Sequence, residues 1–568
     1  MADIIIELAI LFITATLLAY VSKLFKQPII PAYILAGIIL VLTGLVKTNS
    51  VVNTISTLGI AFLLFIVGLE LEFKRLKDVG LISTAGGFLL CLILFGIGML
   101  AGNLLGFAAL QSVYIGLVIA FSSTMVVIKL LSDRSELDTL HARIIIGILL
   151  MQDLFAIIAL FVLSSLQSFS FNVVLKSLGG LAVILFVLII ASKFILPLIF
   201  KYAARTEELL FTSAIAICLA LIGLFEYMGL SIAIGAFLAG VALANLEYNI
   251  EIISLVKPLS DFFAVIFFVS LGMMLNVKIL SSIVIPIIVL LILTLFLKPF
   301  LIMLLTSFFG YKKRPSFLIS MSLAQASEFS LILAVLGLSL GHLTEEIFSI
   351  ITLLAMVTMG LTAYLFQYEQ WIYKLLSKPL NIFEKVSKEE LEYIPRKIKK
   401  DVILAGYHRL GYNIFNTLRN LKKSFLVVDY NPEVVKSLVS KKIPCIYGDI
   451  GDVEILNRLD LKDVKMIIST VPDRQDNLLL IKKTKDVNKE AVVIVTSMNV
   501  DDALDLYNAG ADYVILPHFL GGERVSILLE ESSKDIKKLL EYKLSHIKEL
   551  KKRRILGHKH PKKRHRHK

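Results

Sequence analysis

Asp153 is the residue of this chain whose type and place most clearly suggest chemistry. It follows Gln152 near the middle of an otherwise apolar segment, residues 143–166, and no basic residue lies within two helical turns of it. A carboxylate at bilayer depth costs about 2.5 to 3.5 kcal/mol on insertion scales, so such residues usually face the protein interior and carry ions or protons. Asp153 is therefore the centre of the predicted site.

Hydroxyl side chains interrupt the apolar segment that precedes it. The run AFSSTMVVIK places Ser122, Ser123 and Thr124 inside a helix that is otherwise hydrophobic. Hydroxyl groups can satisfy backbone atoms that local unwinding frees, and a discontinuous helix presents carbonyl and hydroxyl oxygens to a cation. A hydroxyl cluster that joins two helices fits the same residues. The sequence leaves both interpretations open.

A similar interruption recurs near the end of the apolar region. In the run LAQASEFSLIL the pattern is broken by Gln325, Ser327 and Glu328, and the helix before it carries Lys298-Pro299 near its middle. Interrupted hydrophobic segments at corresponding places in two halves of a chain point to a transporter site between inverted repeats. The sequence therefore predicts two discontinuous helices that flank one site.

These residue types suit the exchange of a cation for a proton. A buried carboxylate binds either a proton or a small cation, and competition between the two constitutes exchange. Oxygen ligands suit a hard monovalent cation, whereas the imidazole and thiolate ligands of transition metals are missing from these segments. The candidate ligands are Asp153, Thr124, Ser123 and Gln152. Two roles are open for Lys298: it pairs with Asp153 when the site is empty, or it neutralises Glu328.

The composition places these residues in a membrane. The chain of 568 residues is 57% hydrophobic and 18% charged, with a mean hydropathy of +0.82, whereas soluble domains have about 25% charged residues. Apolar stretches of about 18 to 25 residues can cross the ~30 Å hydrocarbon core as helices. We predict about thirteen: 4–22, 29–46, 52–70, 81–107, 112–131, 143–166, 175–200, 207–226, 229–246, 259–275, 280–309, 315–340 and 345–368.

Basic residues collect on every second loop, which predicts the orientation. The positive-inside rule assigns that side to the cytoplasm. The amino terminus is then outside, and everything after residue 370 lies in the cytoplasm beneath the inner or plasma membrane. The residues are Lys23, Lys26, Lys74, Arg75, Lys77, Arg134, Arg143, Lys201, Arg205, Lys257, Lys312, Lys313 and Arg314.

The composition changes at about residue 370. We predict a transmembrane exchanger domain at 1–370, an amphipathic linker at 371–400, a Rossmann-like domain at 401–530, and a basic helix and tail at 531–568. In the third of these, short β-branched runs alternate with helical stretches, which is typical of a parallel, doubly wound sheet. The basic tail is a candidate for contact with anionic lipid.

The first strand-to-helix turn of that domain resembles a dinucleotide-binding fingerprint. In VILAGYHRLGYN, Gly406 and Gly411 take the first and third glycine places, His408 takes the middle one, and Asp429 closes the next strand. Such a turn holds a pyrophosphate at a helix amino terminus, although a side chain in the middle place weakens or reshapes binding. The glycines could instead simply make a tight turn. The candidate ligand residues are Gly406, His408, Arg409, Gly411, Asp429 and Asp449.

Longer motifs resemble a known family over nearly the whole chain. LGIAFLLFIVGLELEFKRLK, FSSTMVVIKLLSD, MQDLFAIIAL, GLSIAIGAFLAGVALAN, FFVSLGMML and LAQASEFSLIL look like segments of the monovalent cation:proton antiporter-2 family. The soluble part resembles the TrkA-N, or RCK-type, nucleotide-binding domain of its Kef-like members. The resemblance implies an NhaA-like antiporter fold with inverted repeats and crossed discontinuous helices at 112–131 and 315–340. It also implies a homodimer whose core part moves the ion site by an elevator-like shift.

Residue by residue, the resemblance assigns roles to the same site. Asp153 matches the family's ion-binding aspartate. Gln152 stands where sodium-coupled electrogenic relatives often have a second aspartate, and a glutamine there is similar to the glutathione-gated potassium efflux systems. One carboxylate implies one cation per proton. Lys298 lines up with a lysine that pairs with the aspartates in sodium-transporting relatives. The resemblance thus slightly favours K+ and keeps Na+ open.

Two departures affect the expected regulation. Ser327 stands where the family commonly has glycine or glutamine, and His408 replaces a fingerprint glycine. The resemblance implies AMP or NAD(H) as a regulatory ligand. The two departures weaken the expectation that an adenine nucleotide and glutathione regulate this chain as they regulate the family. We also expect no second RCK subdomain after Gly521-Gly522.

Other classes of protein were weighed against the antiporter. An RCK-gated cation channel would need a selectivity filter of carbonyl-rich loops, and no such segment is found in the sequence. A transporter-like sensor that carries no ion flux is the third class of protein that fits the sequence. No catalytic constellation accompanies the nucleotide fingerprint, so we expect no enzyme, and we expect no nucleic-acid partner.

Overall fold

The structure is a computed structural model that describes residues 2–534 except for several short ranges. The chain forms two compact units, Met1–Phe309 with Pro315–Phe383 and Gly310–Arg314 with Glu384–Lys568. The ranges left out are 26, 47–49, 71–81, 134–138, 165–183, 185, 189, 228–231, 277–278, 377–378, 387–391, 394–400 and 408–409.

The first unit is made of helices. They are α1 (Ala2–Leu24), α2 (Ile29–Thr43), α3 (Ser50–Glu70), α4 (Ile82–Leu104), α5 (Ala109–Ala120), α6 (Thr124–Asp133), α7 (Leu140–Ser164), α8 (Leu196–Ala203), α9 (Glu207–Tyr227), α10 (Ile232–Ala244), α11 (Asn249–Met273), α12 (Leu280–Ile292), α13 (Lys298–Phe308), α14 (Lys313–Ser322), α15 (Glu328–Ser339), α16 (Glu345–Gln367), α17 (Glu369–Leu376) and α18 (Asn381–Val386). Within the part of the chain that the structure describes, nine helical spans are long and apolar enough to cross a membrane, and four shorter apolar helices accompany them.

Two of the predicted spans are discontinuous. Between α5 and α6 the chain is non-helical at residues 121–123, and Phe121 has an extended backbone with φ −91° and ψ 148°. Between α14 and α15 it is non-helical from 323 to 327, and the Ser327 hydroxyl caps α15 by accepting a hydrogen bond from the Phe329 N–H. The interruptions by hydroxyl residues therefore coincide with real breaks.

Proline perturbs two other helices. A π-helical turn at Leu293–Leu297 joins α12 to α13, and another at Ala191–Ile195 leads into α8. Pro299 and Pro197 lie just after these turns and lack the N–H that the carbonyl four residues earlier normally accepts. Such π-turns are often found at functional sites.

Close helix packing in this unit depends on small residues. A Cβ on Gly37 of α2 would collide with the Val269 carbonyl of α11, and one on Gly272 would collide with the Ile34 carbonyl. The two helices therefore approach at backbone distance. Small residues commonly permit such approach between membrane helices, where dispersion contacts replace the hydrophobic effect.

The second unit contains a seven-stranded sheet. Its strands are β1 (Glu392–Tyr393), β2 (Val402–Ala405), β3 (Phe425–Asp429), β4 (Cys445–Tyr447), β5 (Met466–Ser469), β6 (Val492–Thr496) and β7 (Tyr513–Ile515), in the order β1-β4-β3-β2-β5-β6-β7. The helices are α19 (Leu410–Asn420), α20 (Pro432–Ser440), α21 (Val453–Arg458), α22 (Arg474–Val487), α23 (Val500–Asn508) and α24 (Pro517–Lys534). Alternate residues of β2 enter separate apolar clusters on the two faces, as a doubly wound sheet requires.

The structure describes part of the predicted linker, residues 371–400. It contains helical segments, but β1 lies within it and pairs antiparallel with β4. A strand of two residues is too short to show the alternation from which strands are predicted, which explains why the sequence did not indicate it. At the other end, α24 continues across the predicted boundary at residue 530. The predicted basic tail lies outside the described residues.

Candidate functional site

The two breaks of the helical unit meet each other. The Ser122 hydroxyl donates to the Leu323 carbonyl at 3.0 Å, and the Gln325 side-chain amide donates to the Ser123 carbonyl at 3.4 Å. All four residues are fully buried. Because each break satisfies backbone groups of the other, the helices α5–α6 and α14–α15 are joined at their non-helical centres. The place where residues 121–123 meet residues 323–327 is the crossing. This arrangement matches the predicted crossed discontinuous helices.

Lys298 donates to one backbone carbonyl in each of the two breaks. Its ammonium group is fully buried and donates to the carbonyl oxygens of Phe121 and Gln325, both at 2.8 Å. Half-helices end in unsatisfied carbonyls with partial negative charge, which a cation stabilises. Within the described part of the chain, Lys298 forms no ion pair with Asp153 or Glu328. In this structure it therefore fulfils neither pairing that the sequence suggested, because backbone oxygens lie closer to it.

Glu328 lies at the opposite kind of helix end. It is the first residue of α15, and its Oε1 atom accepts from the Met125 N–H at 3.4 Å, in the first turn of α6. A carboxylate is favourable at an amino-terminal helix end. Lys298 and Glu328 thus complement the carboxyl-terminal and amino-terminal ends that the two breaks create.

Asp153 reaches the same crossing from α7. Its Oδ2 atom accepts from the Thr124 hydroxyl at 3.0 Å, and only 6% of the residue is exposed. Gln152 is turned to the backbone, where its Oε1 atom accepts from the Ser122 N–H at 3.0 Å. Ser123 caps α6 by accepting from the Val126 N–H at 3.2 Å. The structure therefore gathers the predicted residues at one buried crossing, with Thr124 as the direct partner of Asp153.

Unsatisfied polar atoms also collect there. Among the described residues, the buried atoms Gln152 Nε2, Gln325 Oε1 and Glu328 Oε2 have no hydrogen-bond partner. Buried polar groups are rarely left unpaired, and an exception calls for an ion, a water molecule or a functional role. The crossing therefore has buried polar atoms that are free to bind an ion or a water molecule, in addition to those in its internal hydrogen bonds.

The sequence did not indicate two further supports of the crossing. On α16, the Thr358 hydroxyl accepts from the Ala326 N–H at 3.1 Å, and the Thr362 hydroxyl donates to the Ala324 carbonyl at 3.4 Å. Hydroxyls four residues apart lie on one helix face, so their spacing in an apolar helix was the available signal.

In the sheet unit, the described residues of the fingerprint turn have the expected backbone. Gly406 follows β2 with φ +86°, a conformation that favours glycine, and a Cβ on Gly411 would collide with the Gly406 carbonyl. Asp429 ends β3, and its two carboxylate oxygens accept from the N–H groups of Tyr407 and Asn431, each at 2.8 Å. The aspartate at the expected ribose position therefore also fixes the turn. His408 and Arg409 lie outside the described residues.

The remaining ligand candidate is engaged in an ion pair. Asp449 follows β4, and its Oδ2 atom lies 3.2 Å from an Arg314 guanidinium nitrogen. Arg314 belongs to the same compact unit and donates to Asp476 Oδ1 at 2.7 Å. Asp449 thus has a charged partner of its own, and its part in ligand binding remains a prediction.

Transition-metal ligands are not clustered in the described ranges. No group of three or more His, Cys, Asp or Glu side chains there could hold a metal ion. Cys91, Cys218 and Cys445 are buried and free. The oxygen donors at the crossing are of the kind that suits a hard monovalent cation.

Two paired half-helices around a buried carboxylate, in a chain of apolar helices, define a membrane ion transporter that carries a separate parallel-sheet domain. Residues 10–367 match the family described as sodium/hydrogen exchanger, transmembrane, and residues 402–517 match the TrkA-N domain. The first match spans more than half of the chain, so this protein belongs to that exchanger family. The predictions of a cation:proton antiporter with a TrkA-N domain, and of a transporter in place of an enzyme, are confirmed.

Several known proteins are similar over different lengths. The putative cation/proton antiporter YbaL of Escherichia coli is 26% identical, over 87% of this chain and 91% of that protein. K(+) efflux antiporter 4 of Arabidopsis thaliana is 30% identical, over 60% of this chain and 59% of that relative. The solved sodium proton antiporter MjNhaP1 from Methanocaldococcus jannaschii is 17% identical, with a TM-score of 0.47 over 68% of this chain and all of that one.

Proposed function

We propose that this protein exchanges K+ or Na+ for H+ by competition of the two ions for the carboxylate of Asp153, with K+ slightly favoured. The observation that carries the proposal is the hydrogen bond from Thr124 to Asp153, beside the break between α5 and α6. An ion bound here has the carboxylate, the hydroxyl oxygen of Thr124 and nearby oxygens within one buried crossing. A proton on Asp153 removes the charge that attracts the cation, so the two ions exclude each other.

The role of Lys298 follows from its hydrogen bonds. By neutralising two carbonyl ends at 2.8 Å each, it removes negative potential that would otherwise favour cation binding without competition from a proton. The carboxylate of Asp153 then determines which ion is bound. With one such carboxylate and Gln152 in place of a second, we propose one cation per proton, which is electroneutral exchange.

Two considerations support K+ as the preferred cation. The glutathione-gated potassium efflux systems are similar to this chain in having a glutamine at the position of Gln152. In addition, a similar protein carries the name K(+) efflux antiporter 4. Selectivity among alkali cations depends on small differences in cavity geometry. Na+ therefore enters the experiment as the competing substrate.

The placement in the cell and the assembly belong to the same proposal. We propose a homodimer in the inner or plasma membrane, with the amino terminus outside and the sheet domain in the cytoplasm. The alternation of basic loops supports this orientation. We further propose that the turn Gly406–Gly411 binds the phosphate of AMP or NAD(H) at the amino terminus of α19. Its left-handed glycine and the placement of Asp429 fit such a ligand.

The test is Asp153→Asn in everted membrane vesicles. We expect that adding K+ or Na+ no longer collapses a preformed pH gradient, while the variant is inserted at wild-type level. Asp261→Asn is the matched control, because it neutralises an exposed aspartate of α11. Exchange by Asp153→Asn above the background of vesicles without the protein would overturn the proposal. In wild-type vesicles, we expect a lower half-maximal concentration for K+ than for Na+, Li+ or Rb+.

A further inference from the structure

A large cavity lies within the helical unit, away from the crossing. It has a volume of about 970 Å³, and its described lining comes from the region of α8 on one side and from the end of α10 with the following turn on the other. This volume is at the upper end of the range of about 300 to 1,000 Å³ that is typical of small-molecule sites. None of its lining residues takes part in the proposed exchange.

Two lysines line the α8 side of the cavity. Lys193 and Lys201 are eight residues apart, and Pro197 between them also faces the cavity, so the three fall on one helix face. Among the described residues neither lysine has an ion-pair partner, and the Lys193 ammonium group lies over the Phe194 ring, 5.4 Å from its centroid. Lys193 also lies in the π-helical turn that leads into α8. One face therefore presents two positive charges that have no counter-ion among the described residues.

The rest of the lining is largely apolar. Phe200 and Leu246 contribute from opposite sides and are buried, at 0% and 8% exposure. The Ser192 hydroxyl bridges the two sides by donating to the Ala242 carbonyl at 2.6 Å. One acidic residue, Glu247, also lines the cavity, so a small, highly charged anion would meet repulsion there. An occupant needs both an anionic group and an apolar part.

The position of the cavity favours a lipid as that occupant. Lys201 lies two residues before the end of α8 at Ala203, on the side where the basic loops collect. Lys193 is roughly 12 Å deeper, at about 1.5 Å per residue. Lysine side chains near helix ends extend toward the interface, so both ammonium groups can approach the headgroup level. Basic pockets between membrane helices on the cytoplasmic side are known to bind anionic headgroups.

We propose that this cavity binds an anionic glycerophospholipid, with its phosphate held by Lys193 and Lys201 and the upper part of an acyl chain against Phe200 and Leu246. This site is distinct from the basic tail, and it does not depend on which ion the crossing carries. A bound lipid fills the space between α8 and α10, so it stabilises the packing of these helices.

The experiment titrates delipidated, purified protein with short-chain phosphatidylglycerol and follows the melting temperature. Phosphatidylcholine with the same chains is the arm without net charge, and glycerol phosphate is the arm without chains. We expect stabilisation by phosphatidylglycerol only. In the double variant Lys193→Gln/Lys201→Gln, the apparent affinity should fall about 25-fold, or about fivefold per lysine, which corresponds to about 1 kcal/mol each.

Three controls keep the result specific. Lys257→Gln removes an exposed lysine of α11 that does not line the cavity, and it should leave the affinity unchanged. Deletion of residues 549–568 should also leave it unchanged. Lys193→Arg/Lys201→Arg should retain binding, which guards against a folding defect in the glutamine variant. Equal stabilisation by phosphatidylcholine, equal binding of glycerol phosphate, or unchanged affinity in the glutamine variant would each overturn the proposal.

Discussion

The Nζ atom of Lys298 lies 2.8 Å from the carbonyl oxygen of Phe121, the residue that directly follows α5. The same ammonium group holds the Gln325 carbonyl of the other break. One cation thereby stabilises a backbone carbonyl in each break that the bilayer would otherwise leave without a donor. The backbone at the crossing can stay non-helical beside Asp153 because Lys298 donates hydrogen bonds that replace some of the missing helical ones.

Lys298→Met should therefore destabilise the protein. The substitution leaves two buried carbonyl oxygens without a donor, each at a cost of about 1 to 3 kcal/mol. We expect a lower melting temperature in detergent and a smaller loss for Lys298→Arg, which keeps charge and donors. A melting temperature equal to that of the wild type in Lys298→Met would contradict this role. Lys257→Met is the control for loss of a lysine from the helical unit.

Gln152 offers a separate test of how charge at the crossing sets the stoichiometry. Its Oε1 atom accepts from the Ser122 N–H, whereas its Nε2 atom is unpaired among the described residues. Gln152→Glu preserves the shape and the acceptor and adds a second carboxylate beside Asp153. We expect exchange by this variant to become sensitive to an imposed membrane potential in proteoliposomes, and we expect exchange by the wild type to be insensitive, as the proposed one-to-one stoichiometry requires.

Gln152→Leu separates the two functions of that side chain. It removes the acceptor for Ser122 and adds no charge, so we expect slower exchange that stays insensitive to potential. Insensitivity in both variants would show that a second carboxylate at this position does not alter the charge moved per cycle.

The sequence predicts those parts of the site that a short stretch of residues determines, and it does not predict contacts between distant segments. Asp153, Ser123 and Thr124 stand out because each interrupts an apolar helix, and the breaks follow from the same residues. The partners of Lys298 are backbone carbonyls of two segments far apart in the chain. Their identity depends on how the half-helices cross, which no local pattern contains. Thr358 and Thr362 were overlooked because hydroxyls are common in membrane helices as donors to their own backbone.

The sheet domain was predictable for a different reason. Its strands alternate regularly with helices, so the pattern predicted the parallel, doubly wound sheet that β2 to β7 form. β1 escaped because it has two residues and pairs with β4, a strand that lies far along the chain. Asp449 looked like a ligand residue by its position after β4, but its ion pair with Arg314 required knowledge of a segment distant in sequence.

The fingerprint turn gives a prediction for nucleotide binding. A Cβ on Gly411 would collide with the Gly406 carbonyl, so Gly411→Ala should distort the turn and abolish stabilisation of the full-length protein by AMP or NADH. For the wild type, a ligand at 100 times its Kd should stabilise by about 2.7 kcal/mol. Asn413→Ala, at an exposed position of α19, should respond as the wild type does. A wild-type response by Gly411→Ala would exclude this turn as the site.

Asp512 provides a pH-dependent test of the sheet domain. Burial is the largest single influence and opposes ionisation, but hydrogen bonds from Lys485 at 2.8 Å and from the Val493 N–H at 2.7 Å, together with the charge of Lys485, lower the pKa of Asp512 below its ordinary value. The bond from Val493 joins β6 to the residue before β7, and the bond from Lys485 joins α22 to the same carboxylate. A carboxyl with a depressed pKa stabilises the fold above its unfolded pKa of about 3.9 and loses that contribution as the pH falls through the lower folded value.

Asp512→Asn should therefore destabilise the domain at pH 7 and have less effect below about pH 4, where the wild-type carboxyl also becomes protonated. Limited proteolysis of the full-length protein between residues 402 and 517 reports the opening of this domain. Because the side chain is 43% exposed, the difference should be modest. Asp486→Asn, an exposed aspartate of α22, is the control. A difference between Asp512→Asn and the wild type that persists undiminished at low pH would mean that packing, and not the ionised carboxylate, links β6 to β7.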